Sequence, residues 1–133
     1  MPVMDFKLEV IVVPVSDIDA AKDFYENKMG FTLDHDTEVS EKMRIVQFTP
    51  PGSACSIVMG TGIPRMEPGS LRGIQLVVTD IAAARTELLE RGLDPGEVNQ
   101  MGPEDMDGSK FLFFSDPDGN GWAIQEYKGG AAA

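Results

Sequence analysis

A chain of 133 residues with 42% hydrophobic and 25% charged side chains has the make-up of one globular domain, long enough to bury roughly two-thirds of its unfolded surface. Its 22 acidic residues outnumber 11 basic ones, and the net charge of -11 argues against nucleic acid as a partner, since a polyanion needs a basic face to displace its counterions. The single cysteine, Cys55, permits no internal disulfide, so the expected compartment is the cytoplasm.

Taken in chain order, residues 7 to 15 are rich in Val, Ile and Leu and predict a strand. The apolar run Val10 to Val13 follows acidic residues and meets Pro14, too short for a signal peptide core or a membrane span, so no membrane partner is expected. Asp17 is a good helix N-cap, Ile18, Ala21, Tyr25 and Met29 recur at helical spacing, and Gly30 suits the left-handed turn that closes a helix. Shorter strands are expected near 31 to 38, 43 to 49 and 54 to 60.

The same signals then return. Residues 72 to 79 predict a strand, Asp80 a cap, and Ile81, Ala84 and Leu88 a helix, supported by a Glu87–Arg91 pair and closed by Gly92. Strands follow near 93 to 98, 109 to 115 and 121 to 127. Aligning VVPVSDIDAAKDFYENKMGF from Val12 with QLVVTDIAAARTELLERGL from Gln75 puts Asp17 on Asp80 and Gly30 on Gly92. The chain therefore reads as an α+β fold of two tandem βαβββ modules, about 7 to 60 and 71 to 127, whose four-stranded mixed sheets enclose a central cleft. One domain over 1 to 129 is expected, with 130 to 133 set aside as a small, featureless tail.

Two of these segments also carry a resemblance, covering about Lys7 to Tyr127. VSDIDAAKDFYENKMGF resembles the first strand-to-helix signature of the vicinal-oxygen-chelate superfamily, which includes glyoxalase I, bleomycin-resistance proteins and extradiol dioxygenases. DPDGNGW, at Asp116 to Trp122, resembles the turn before that family's last strand. The turn also has a local cause, because Pro117 presets φ while Asp118, Gly119 and Asn120 suit turn positions.

The resemblance implies four cleft-facing metal ligands in the metal-dependent members. The first falls seven residues before the capping Asp, here Val10, and its counterpart before Asp80 is Gly73. The position on the last strand is Ala123, and no carboxylate or imidazole follows Ile57 and Met59 before Glu67. Glu9 and Glu126 are out of register, and a one-residue slip turns a side chain to the other face. No metal and no other cofactor is therefore expected. His35, the acidic run Glu104, Asp105 and Asp107, and Cys55 lack the partners that chemistry would require, and read as a surface histidine, a solvated loop and a structural thiol.

Strand alternation from Val10 and Gly73 carries Val12, Gln75 and Val77 to one side and Ala123 brings Gln125 with it; with Met59, Phe111 and Phe113 as apolar neighbours, the candidate ligand pocket is Val10, Val12, Met59, Gln75, Phe111, Phe113 and Gln125. Its two amides among apolar side chains suit a small organic molecule, although the glutamines could instead satisfy each other in the core. Trp122 has the opposite parity and is expected beneath the helices. The expected function is metal-independent binding of a small organic ligand, the alternative being a metal-dependent lyase, isomerase or dioxygenase. The resemblance further implies a homodimer.

Overall fold

The computed structural model describes residues 4–129, so the tail at 130 to 133 lies outside the described residues. In chain order the elements are β1 (Val10–Val12), α1 (Ile18–Asp23) with a wider π-helical continuation over Phe24–Lys28, β2 (Thr32–Ser40), β3 (Met43–Thr49) and β4 (Ser56–Thr61). There follow β5 (Ile74–Val78), α2 (Ile81–Glu90), β6 (Asn99–Gln100), β7 (Lys110–Ser115) and β8 (Gly121–Glu126). The two sheets repeat one topology, β1-β4-β3-β2 and β5-β8-β7-β6, with the first pair of each parallel and the others antiparallel. This is the doubled βαβββ pattern that the sequence repeat predicts.

Cap chemistry starts both helices alike. Asp17 and Asp80 lie in extended backbone and each accepts the amide three residues on, from Ala20 and Ala83, at 3.0 Å. Gly30 and Gly92 then take φ of 70° and 90°, a turn that side chains with a Cβ resist. Between Asp17 and Gly30 the helix widens: Met29 N–H bonds Phe24 O and Phe31 N–H bonds Tyr25 O, which brings Phe24, Tyr25 and Phe31 into one buried cluster.

That cluster joins the modules. Tyr25 packs on Phe48 of the first sheet and on Trp122 of the second, and Phe24 reaches Phe114. Tyr25 Oη donates to Asp116 at 2.7 Å and accepts Trp122 Nε1–H at 3.0 Å. Burial, reinforced by the Asp116 carboxylate, holds the Tyr25 phenol far above its ordinary pKa. The DPDGN turn completes the joint. Asn120 donates to Pro14 O at 2.8 Å and accepts from Leu71 N–H, while Asp118 accepts both the amide and the hydroxyl of Ser16. Trp122 thus lies beneath the helix, as its parity implied, and Asp116 and Asp118 are structural acceptors.

Two predicted strands differ from expectation. The first strand covers only 10 to 12 of the predicted 7 to 15, because its partner β4 begins opposite Val10, at Ser56. The stretch 93 to 98 is a connection, and the edge strand is the two-residue β6 beyond it. The sequence predicts a strand there, but DPG at Asp94 to Gly96 favours a turn, and Asp94 accepts the Gly96 amide.

Candidate functional site at the open sheet faces

Cross-strand partners share a face, so the register sorts every strand residue into covered or open. In the first sheet Ile57 pairs with Phe48 and Met59 with Val46, all buried against the helix. Val10 pairs with Ser56, and Val12 with Val58, which pairs with Gln47; this row faces the opposite way. In the second sheet Trp122, Ile124, Leu112 and Phe114 are covered. Gln75, Ala123 and Phe113 form one open row, and Val77, Gln125 and Phe111 the next.

Six of the seven predicted residues therefore stand on open faces: Val10 and Val12 on the first sheet, Gln75, Phe111, Phe113 and Gln125 on the second. Met59 is a correction. It is 0% exposed on the covered face, opposite in parity to Val10 and Val12. Its placement needed the register between β1 and β4, two parallel strands separated by a long connection, which alternation within either strand does not define.

The glutamines do bond each other, but on the open face rather than in the core. Gln125 Nε2 donates to Gly108 O at 2.9 Å, which turns its Oε1 toward Gln75, and Gln75 Nε2 donates to that oxygen at 2.8 Å. Among the described residues, Gln75 Oε1 has no donor. Beside the amides, the Phe111 and Phe113 rings stack nearly parallel with centroids 6.0 Å apart. Phe113 is 46% and Val77 62% exposed, so an apolar surface with one amide pair faces outward.

At one end of this face small residues leave a hollow of about 400 Å³ lined by Arg72, Gly73, Phe113, Gly121 and Ala123 among others. Gly73 and Ala123 are two of the positions where the sequence resemblance implies metal ligands. Neither they nor Val10 has a donor atom, and among the described residues no three His, Cys, Asp or Glu side chains gather at metal-binding spacing. The donor set does not fit a metal.

The first sheet adds a polar group that the sequence reading missed. Asp34 Oδ2 accepts Thr49 Oγ1–H at 2.5 Å and Gln47 Nε2–H at 3.2 Å, and Thr49 bonds Ser56 at 2.6 Å. The signal lay in β3, MRIVQFT, where buried Val46 and Phe48 alternate with Gln47 and Thr49. His35 is exposed opposite Gln47, consistent with a surface histidine.

A larger cavity of about 540 Å³ lies elsewhere, between α2, β5 and the segments at Met29–Phe31 and Pro50–Pro51, and touches none of the seven predicted residues. Its cation is already engaged, since Arg91 donates to Asn27 O and pairs with Glu87 at 3.5 Å. The open faces are the better candidate, because Gln75 Oε1 and the exposed Phe113 and Val77 side chains there are not engaged among the described residues.

Comparison with known proteins agrees with this geometry. A family model described as Glyoxalase/Bleomycin resistance protein/Dioxygenase superfamily matches residues 7–124. The chain is similar to TnmS3, an antibiotic binding protein from Streptomyces sp. CB03234, at 36% identity and a TM-score of 0.74, covering 95% of this chain and 99% of that one. It is also similar to a glyoxalase/bleomycin resistance protein from the same Streptomyces (38% identity, TM-score 0.70, 90% and 100% covered). A superfamily member from Sphaerobacter thermophilus DSM 20745 matches at 33% identity and a TM-score of 0.70, with 93% and 99% covered. A search of curated proteins found no significant match.

Proposed function

Because this chain belongs to the glyoxalase/bleomycin resistance protein/dioxygenase superfamily, we propose that it binds a small organic molecule on the open sheet faces without a metal ion. One observation carries the reading: Gly73 and Ala123, two positions where the sequence resemblance implies metal ligands, offer no side-chain donor and instead line a mostly apolar hollow with Phe113, beside the Gln75–Gln125 pair. Such a surface suits a mainly apolar ligand with a few polar groups. The similarity to an antibiotic binding protein makes antibiotics the first class to try. No cofactor enters this reading.

A homodimer belongs to the same proposal. Among the described residues nothing covers the open face of either sheet, and two copies could set the first sheet of one against the second sheet of the other, completing a cleft. Among the described residues no helix is long and apolar enough to cross a membrane. The proposed setting is the cytoplasm, which the lone Cys55 supports.

Elemental analysis and a thermal-shift panel of antibiotics test the function together. The expected result is no stoichiometric Ni, Zn, Fe or Mn and a ligand that raises the melting temperature after chelator treatment. A stoichiometric metal needed for binding or turnover would replace this reading with the metal-dependent enzyme class.

A further inference from the structure

Arg72 is the only charged side chain among the described residues that line the hollow beside Gly73, Phe113 and Ala123. It stands just before β5, and its stem crosses Gly121 at the start of β8: a Cβ added to Gly121 would meet Arg72 Cδ at 3.0 Å. Gly121 faces the same way as Ala123, because Trp122 between them is covered. The missing side chain at Gly121 therefore makes the room in which Arg72 lies over the open face.

Backbone carbonyls fix how the guanidinium is turned. Nη1 donates to Gly69 O at 2.5 Å and to Leu71 O at 3.0 Å, and Leu71 O is itself held by the Gly121 amide at 2.9 Å. Among the described residues Nε and Nη2 have no acceptor, and no carboxylate pairs with Arg72, whereas Arg44, Arg85 and Arg91 each have an acidic partner. In a chain with 22 acidic residues, a cation in contact with none is the exception. The acids of the adjoining DPDGN turn are already spent, Asp116 on Tyr25 and Asn120 and Asp118 on Ser16. The Nε–H and Nη2–H groups lie along one edge of a rigid plane, spaced to meet the two oxygens of a carboxylate.

We propose that this edge of Arg72 holds a carboxylate of the bound ligand, while the ligand's aromatic body rests on the exposed Phe113 ring. The inference rests on the open-face binding proposed above and adds the chemical class of the ligand, an aromatic monoanion. One cation with one edge to offer suits a single carboxylate, and the hollow of about 400 Å³ has room for a small fused ring system beside it. The chain's net charge of -11 opposes an anion at long range, but at physiological salt the screening length is about 8 Å, so the group in contact decides. Apolar surroundings on Phe113 and Ala123 strengthen that contact, because they exclude water from one side of it.

Titration of the full chain with naphthoate and with its uncharged counterpart naphthamide, followed by NMR of backbone amides and arginine Nε–H groups, tests this on the wild type and on Arg72→Gln. The expected result with naphthoate is a set of shifts at Gly73, Phe113, Ala123 and the Arg72 Nε–H. Binding should be weaker by roughly tenfold or more for naphthamide on the wild type, and for naphthoate on the variant. Arg72 is exposed, so the variant should keep the wild-type circular dichroism spectrum, and the two probes on the wild type decide the point even if it does not. Equal affinity for the two probes at the hollow, or undiminished naphthoate binding in a folded Arg72→Gln, overturns the carboxylate site while leaving open-face binding standing. Naphthoate that shifts nothing there, while an antibiotic shifts Gln75 and Phe113, does the same. No shift on the open faces with either probe or with any antibiotic removes both.

Discussion

Leu112 and Phe113 are neighbours on β7, yet Leu112 is fully buried while Phe113 keeps nearly half its surface in solvent. Around Leu112 the two modules share an aromatic core, and no buried side-chain nitrogen or oxygen among the described residues lacks a partner. Around Phe113 lie rings, a valine and an amide pair with unused capacity. A side built for stability spends its polar groups internally, whereas a side built for binding keeps some in reserve.

Breaking the covered side should cost most. Trp122→Ala removes the ring that links Tyr25, Phe31 and Phe114, with an expected loss of about 3–5 kcal/mol in urea or thermal unfolding. A loss under about 1 kcal/mol would mean that the modules are not held through this cluster.

Tyr25→Phe keeps the ring but strands the Trp122 indole N–H and leaves one acceptor position on Asp116 Oδ2 unfilled, for an expected loss of about 1–3 kcal/mol. Equilibrium unfolding of that variant beside Trp122→Ala separates the hydrogen-bonded part of the joint from its packing.

A smaller effect is expected where the covered face meets solvent. Hydrogen bonds from Arg44, then Lys22, hold the Asp36 carboxyl below the usual carboxylate range, at a side chain 21% exposed. A depressed folded pKa contributes stability above the unfolded value, near 3.9, and loses it as pH falls toward the folded one. Asp36→Asn should therefore cost about 0.2–1 kcal/mol at pH 7, discounted for solvent screening, and its gap from wild type should narrow as melts are taken below about pH 4. A gap that widens on acidification would reverse the assignment.

On the open side the ordering inverts. Gln75→Leu and Gln125→Leu should change stability by less than about 0.5 kcal/mol. Each should weaken a bound ligand by roughly 3- to 10-fold, the worth of one neutral hydrogen bond, as read by calorimetric titration. Equal losses of fold and affinity would make these amides structural.

Local chemistry explains which features the sequence exposed. Asp17 and Asp80 announce two helix starts, and their match across the repeat implies the doubled topology. Alternation within β5 and β8 places Gln75 and Gln125 on one face, and the pairing of β7 with β8 puts Phe111 and Phe113 there too. Met59 was misplaced because its face depends on long-range register, and residues 7 to 9 read as strand because propensity reports what a segment favours, not whether a partner is in reach. Asp34 escaped notice for a related reason: the register shift between Leu33 and His35 breaks the alternation that would have assigned it to the open face with Gln47.

The central claim is that binding occurs on the open faces and needs no metal. Amide and side-chain NMR shifts of chelator-treated protein, titrated with an antibiotic that raises its melting temperature, test it most directly. The account predicts shifts centred on Val10, Val12, Gln75, Phe113 and Gln125, with Met59 and Leu88 little changed. Shifts centred instead on Met29, Leu88 and Arg91, in the cavity beside α2, or binding that returns only when a divalent metal is restored, would contradict it.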